Sequence, residues 1–551
     1  MEKAVYRVLK VDILPCNTQA NLSNPLLQDE LIFLGLLKNY LNDHSRSGLY
    51  YSRGYDLCSR VQRHYTDKGS PLSPSQSLEN QFVANRRVLG SLLQLMQAEQ
   101  QALVDHFALT CIQGFVGIVE DVCIGEQGER ASIALISRRS SSRVGNYPLI
   151  IILGTRFHSR GIDEQGNVSN FVETEQIVMY EESVQSFTQV RGSIPVFWRQ
   201  NINIRYKPPM ELDTSDRSAQ VFHQHFNDLK QDFGQPVVAV NLVDSHGFEG
   251  RLAASFAKYS RASEDYLHYL HFDYHAQVHG KAEPASKLEA LNRLILPMVD
   301  EMAWFRVQGD DILTNQNGVV RSNCIDCLDR TNVVQSALGR LILTRQLRAI
   351  TLLGEEEHLT SPRCASLLQI LQNLWADNGD AISRQYSGTG ALKSDLTRTG
   401  KRTRIGMFND LSNSLVRYYR NNFTDAHTQD AMDLFFGKFQ ANGVPVMLTT
   451  PSNAHLKLIL GFGMMIWALM IWNGLVRAEP LLVSRVVWIG GSAVFGAALL
   501  RYIVGNGVHF VEYPKLLPPP IAIARSVGSI RPAANASLLP SIRPSKKVHQ
   551  I

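Results

Sequence analysis

The sequence predicts an α/β (α+β) domain with a β-rich N-terminal region, a catalytic part built around a Cys-x5-Arg phosphate-binding loop, and a two-helix transmembrane hairpin behind it. Three features lead there. Short β-branched runs alternate with helical patterns from residue 111 onward, the stretch RSNCIDCLDRTN occupies 321–332, and two apolar runs follow residue 457. A chain of 551 residues is long enough for two or three domains with a well-buried core.

At the N-terminus, MEKAVYRVLKVDILPC lacks the uninterrupted apolar segment of a signal peptide, so membrane insertion has to come from later in the chain. Residues 24–42 carry Leu27, Leu31, Leu34, Leu37 and Leu41 at helical spacing. The polar stretch 67–77 reads as a surface loop, and a second helical run is expected over 80–107. CIQGFVGIVEDVCI, ASIALISRR and FVETEQIVMY then read as strands, followed by PVVAVNLVD (236–244) and YLHYLHFDYH (266–275) with helical patterns between them. The expected organisation is a partial N-terminal subdomain at 1–145, a catalytic subdomain at 146–450, the hairpin at 456–505, and a disordered, basic, proline-rich tail at 511–551.

The runs 458–476 and 486–504 are each 19 residues. As helices they span roughly 28 Å, close to the roughly 30 Å hydrocarbon core. Asn473 is the strongly polar side chain of the first run, and Arg501 lies near enough to an end of the second to snorkel. Gly490, Gly491, Ser492, Ala493 and Gly496 suit close helix packing in lipid. Two spans leave both flanks on one side. The seven cysteines are odd in number and mostly far apart, which fits a reducing cytosol better than a disulfide framework. Both termini and the catalytic domain are therefore expected there. A formal charge of +5 is too dilute for a nucleic-acid binder.

The twelve residues carry the chemistry. Between a strand and a helix, the backbone N–H groups of residues 325–330 can converge on phosphate oxygens, helped by the helix N-terminus. Arg330 adds a planar fork for two of those oxygens. The same positive surroundings lower the pKa of Cys324, making a thiolate that can attack phosphorus. Thr331 is placed to donate its hydroxyl to that sulfur when water hydrolyses the cysteinyl-phosphate. Cys324 has arginine six residues on, whereas Cys327 has Val333 there, so Cys324 is the candidate nucleophile. A zinc site would need about four ligands, and no second Cys-x-x-Cys or nearby His pair accompanies these two cysteines. Asp326 is a candidate general acid for the leaving oxygen, the alternative being that Asp326 and Asp329 both anchor the loop.

The stretch RSNCIDCLDRTN resembles the signature of the Sac-domain phosphoinositide phosphatases, and the two C-terminal runs resemble the integral-membrane branch of that family. NFVETEQIV (170–178), RGSIPVFW (191–198), HFDYH (271–275), WADNGDAISRQYSGTGALKSDLTRTGKRT (375–403) and RYYRNNFTDAHTQDAMDLFFG (417–437) also resemble it. The resemblance implies removal of phosphate from phosphatidylinositol phosphates, chiefly the 4-phosphate, in endoplasmic reticulum and Golgi membranes, without metal or other cofactor. Carried onto this chain, it makes Cys324 the nucleophile and Arg330 the phosphate ligand. Asn323, Asp329, Lys393, Lys401 and Arg402 are the expected substrate-binding residues, Arg398 and Arg404 extend the basic cluster, and Asp273 and His275 are further candidates.

Three departures from the family pattern stand out. The chain begins inside the N-terminal β-rich subdomain, YPLIIILGT (147–155) is an extra apolar stretch, and SKKVHQI lacks a dilysine signal. Two rival readings remain beside this one. Protein-tyrosine phosphatases usually have His before the cysteine and glycines in the loop, where this chain has Asn323 and no glycine. A catalytically silent phosphoinositide-binding tether would have no need of the thiol.

Overall fold

The computed structural model describes residues 4–12, 25–66, 80–95, 109–124, 128–141, 154–278, 284–439, 454–473, 475 and 482–516. The expected loop at 67–77, the end of the helical run toward 107, most of the extra stretch 147–155 and the tail from 517 lie outside these residues.

Antiparallel strands β1 (Val5–Arg7), β2 (Leu49–Ser52), β3 (Cys111–Cys123), β4 (Arg130–Arg139), β5 (Val172–Tyr180) and β6 (Ser183–Arg191) form one half of a mixed sheet. A small separate pair, β7 (Trp198–Gln200) and β8 (Met210–Leu212), follows. The second half adds β9 (Val237–Asn241), β10 (Leu267–His271), the hairpin β11 (Phe305–Gln308) and β12 (Asp311–Thr314), and β13 (Val319–Asn323). Strand order is β1-β2-β3-β4-β5-β6-β13-β9-β10, with β11 also pairing with β6. β13 is parallel to both β6 and β9, and β9 is parallel to β10. Because β4 pairs with β5, the sheet runs unbroken across the 145/146 boundary expected from sequence.

The helices explain why β9 is an unbroken apolar run. Besides two short helices at His44–Ser47 and Val61–Thr66, they include α1 (Pro25–Asn42), α2 (Arg86–Leu95), α3 (Asp216–Phe233), α4 (Gly247–Ser260), α5 (Tyr274–Val278), α6 (Pro284–Met302), α7 (Asp329–Ala349) and α8 (Ala365–Ser387). Next come α9 (Ser394–Thr399), α10 (Arg404–Phe423), α11 (Asp425–Phe435), α12 (Ala454–Trp472) and α13 (Leu482–Gly505). Val237 and Ala239 pack with Phe222, Phe226, Leu252 and Phe256 of α3 and α4. Their neighbours Val238 and Val240 point the other way, onto Leu291 and Ile295 of α6 and Leu338 of α7. Both faces are covered, as a parallel sheet requires. The antiparallel half instead buries charge: Arg138 donates to Glu173 at 3.0 Å and Glu175 at 2.8 Å, all three fully enclosed.

Helices α12 and α13 pack together, Trp467 donating its indole N–H to the Ser492 carbonyl at 2.9 Å and closing over Gly496. Val486–Gly505 is long and apolar enough to cross a membrane, whereas the apolar part of α12 among the described residues is the shorter Leu460–Trp472. One expectation needs correcting. The tail was expected to be disordered from 511, but Val511 and Leu516 are buried, and Asp430 accepts from the N–H groups of Lys515 and Leu516. A carboxylate in the middle of α11 thus captures backbone donors that composition alone leaves free.

Candidate active site

The parallel strands end together, and their carboxyl ends are where functional groups collect in such sheets. β13 runs into Cys324, the loop turns over residues 325–328, and α7 starts at Asp329. Cys324 is 2% exposed. Cys327 has a φ of 53°, a left-handed conformation costly for a side chain with a Cβ. That turn aims its backbone N–H at the Cys324 Sγ, 3.1 Å away, while its own thiol donates to the Gly192 carbonyl. Thr331 Oγ1 donates to the same Sγ at 3.4 Å. Burial works against a thiolate at Cys324, yet Cys327, the Arg330 charge and the Thr331 hydroxyl outweigh it and bring the thiol down to about 6. Burial, followed by the Cys324 charge, pushes the Cys327 thiol well up. The two cysteines are therefore chemically unlike, one a thiolate near neutral pH and the other a thiol.

Arg330 is 8% exposed and held by its neighbours. Its Nη1 donates to Leu242 O at 3.0 Å, Asp244 Oδ1 at 3.1 Å and Glu249 Oε2 at 2.9 Å. Asp244 also meets His275 Nδ1 at 2.6 Å. Asp273 accepts from the Ser245 and Ala276 N–H groups and fixes the start of α5. Burial raises its carboxyl, but those hydrogen bonds outweigh it and hold the group at about 2.

The other loop residues are anchors. Asp326 receives Arg156 at 2.7 Å and Arg160 at 2.5 Å, and these two charges overcome burial to hold its carboxyl far below the usual range. Asp329 accepts from Arg417 of α10 at 3.0 Å and from the Leu392 N–H. Asn323 is fully buried, donating to Asn241 at 2.6 Å and accepting from Arg321 at 2.9 Å.

The basic cluster divides. Lys393 lies over the Tyr274 ring at 4.5 Å, and burial lowers its ammonium pKa. Arg402 is held by Asp395 and by Asp410 at 2.6 Å, and Arg398 by Asp377 at 2.6 Å. Lys401 and Arg404 are exposed.

Sequence reasoning missed the supporting residues Asp244, Glu249, Arg156, Arg160 and Arg417, which are distant in the chain and carry no short motif. It also missed Arg191, the first residue of RGSIPVFW. Arg191 is fully buried at the end of β6, and its Nε, Nη1 and Nη2 find no acceptor among the described residues. Burial lowers its guanidinium to about 10, against the opposing pull of Cys327, Cys324 and Asp329. Its charge lies within electrostatic reach of Cys327, Cys324 and Asp329, and no short motif marks it in the sequence.

A family model described as SacI homology domain matches residues 1–279. Phosphatidylinositol-3-phosphatase SAC1-B of Danio rerio is 34% identical over 93% of this chain and 84% of its own length. The values for phosphatidylinositol-3-phosphatase SAC1 of Saccharomyces cerevisiae are 34%, 93% and 80%. Phosphoinositide phosphatase SAC6 of Arabidopsis thaliana is 35% identical over 94% of this chain and 84% of its own. Matches that run through both halves of the sheet, the Cys324 loop and the C-terminal helices leave one placement: the chain belongs to the Sac-domain phosphoinositide phosphatases.

Proposed function

We propose that this protein is a phosphatidylinositol phosphate phosphatase acting through a cysteinyl-phosphate, with phosphatidylinositol 4-phosphate as its chief substrate. The observation that carries the reading is the Cys324 thiol, brought down to about 6 beside Arg330 and Thr331 in the loop between β13 and α7. Thiolate attack forms the sulfur–phosphorus bond and breaks the bond from phosphorus to the inositol oxygen, which leaves with a proton. Water then attacks phosphorus, and the sulfur leaves as a thiolate stabilised by the Thr331 hydroxyl. Arg330 neutralises the phosphoryl oxygens throughout. Cys324, Arg330 and Thr331 are the chemical groups of this reading. Asp326 anchors the loop, because a carboxylate held ionised by two guanidiniums is a poor proton donor. His275, hydrogen-bonded to Asp244 beside Arg330, is the better candidate for protonating the leaving oxygen.

The packing of α12 on the span-length α13 is what favours a two-span hairpin, and a Sac domain on the cytosolic face of the endoplasmic reticulum or Golgi is what the family resemblance implies. The test is phosphate release from phosphatidylinositol 4-phosphate in mixed micelles with EDTA, comparing the chain with Cys324→Ser. Release by the wild type alone is expected. Release by neither, from folded protein, would favour the binding or tethering reading.

A further inference from the structure

Helix α10 is amphipathic the wrong way round for a soluble surface. Its buried side carries Gly406, Arg417, Asn421 and Asn422. Its outer side carries Ile405 (76% exposed), Phe408 (71%), Leu411 (58%), Leu415 (61%) and Tyr419 (58%) at helical spacing. A surface helix ordinarily turns such a stripe to the core, and a continuous exposed apolar patch marks an interaction site. Beside its N-terminal end Lys401 and Arg404 are exposed, while Arg402 between them is paired with Asp395 and Asp410. An apolar stripe edged with cations is the pattern that lies in a membrane interface.

The chain itself brings a bilayer to this helix. Seven residues after α13 ends at Gly505, Glu512 donates its N–H to Asn422 O in the last turn of α10 at 2.8 Å. Nearby, Tyr513 Oη donates to Ile202 O at 2.9 Å, and Tyr418 Oη of α10 donates to Ile204 O at 2.6 Å. The apolar helix that is long enough to cross a membrane is therefore tied to the end of α10 by a short, packed segment. On its inner side α10 reaches the loop, since Arg417 holds Asp329.

We propose that α10 is a membrane-docking element whose apolar stripe lies at the headgroup–acyl boundary of the bilayer carrying α13, with Lys401 and Arg404 among anionic headgroups. Docking turns the Cys324 loop toward lipid in that leaflet. The effect on turnover rests on the phosphatase reading; the lipid contact does not.

The test uses the full chain in phosphatidylcholine–phosphatidylserine proteoliposomes with photoreactive benzoylphenylalanine at position 408 or, as control, at Leu313, which is 52% exposed on β12. A lipid adduct from 408 and none from 313 is expected. An adduct to protein at 408, whether a second copy or the chain's own tail, overturns the proposal, as does no lipid adduct at 408 or an equal one at 313. In a second arm, the triple variant Phe408→Ser, Leu411→Ser and Leu415→Ser is compared with wild type on bilayer-embedded and on short-chain, water-soluble phosphatidylinositol 4-phosphate. A loss of ~10-fold or more confined to the embedded substrate is expected, because orientation and not chemistry is removed. Equal rates on both substrates, or equal losses on both, overturn the docking role. Inactivity of the wild type on both substrates counts against the phosphatase reading and leaves the adduct pattern to decide the contact.

Discussion

Arg330 and Glu249 meet through two hydrogen bonds, Nη1 to Oε2 at 2.9 Å and Nη2 to Oε1 at 3.3 Å. The guanidinium fork assigned to phosphate is thus already oriented by a carboxylate from the first turn of α4. A bound phosphate shares that charge or displaces Glu249.

If Glu249 orients the fork, Glu249→Ala lowers kcat/KM by ~10²-fold, the cost of misplacing a charged ligand. Glu249→Gln, which keeps one acceptor, loses less. Steady-state kinetics on both variants decide the matter. A rise in kcat/KM for either would make the carboxylate a competitor of phosphate and not its support.

The pH dependence follows from Cys324. The thiolate is the reactive form, so kcat/KM rises with pH through about 6. Thr331→Val removes a donor that stabilises the thiolate, so the rising limb moves to higher pH. The same change slows hydrolysis of the cysteinyl-phosphate, which rapid-quench trapping reads as greater accumulation of phosphoenzyme. An unmoved limb would mean that the hydroxyl does not reach the sulfur in the working enzyme.

How much of this was legible differs from place to place. The β-branched runs showed β3, β4, β5, β9 and β10, because strand alternation and apolar runs are local signals. Strand β6 was not read from sequence, since SVQSFTQVR hides a buried strand behind polar residues that bond to helices: Gln185 to Gln346 O, and Gln189 to Gln335 O. The loop announced itself in twelve residues, but its supports lie far off in sequence, with Arg156 170 positions from Asp326 and Arg417 88 from Asp329. No spacing rule reaches that far. Asn323 was expected at the substrate from the family resemblance, whereas its side chain is buried and bonds to Asn241 and Arg321.

Asp326 and His275 are separable by their leaving groups. Asp326→Asn leaves Arg156 and Arg160 without their anion, so it lowers thermal stability by ~3 kcal/mol and slows every substrate alike. His275→Gln slows turnover of the lipid, whose inositol oxygen needs a proton, by ~10²-fold. It leaves an aryl phosphate, whose phenolate departs unaided, nearly unchanged. Parallel assays on the two substrates check both. The reverse pattern, with Asp326→Asn selective for the lipid, would restore Asp326 as the acid.

Arg191 poses the sharpest conflict between stability and function. A buried guanidinium without acceptors is costly, and replacement of such charges by apolar side chains of similar volume is often neutral or stabilising. The charge remains because burial lowers the group only to about 10, so it is a cation at neutral pH, within electrostatic reach of Cys324. If its role is to hold negative charge on the sulfur and the phosphoryl group, Arg191→Met leaves the melting temperature unchanged or raises it. Activity in that variant falls ~10²-fold, and the Cys324 limb shifts upward. Arg191→Lys, which keeps the charge on a flexible stem, recovers part of the loss. Thermal melts and pH–rate profiles on the same preparations test this directly, and a variant that unfolds while its remaining folded fraction stays fully active would make Arg191 a structural residue instead.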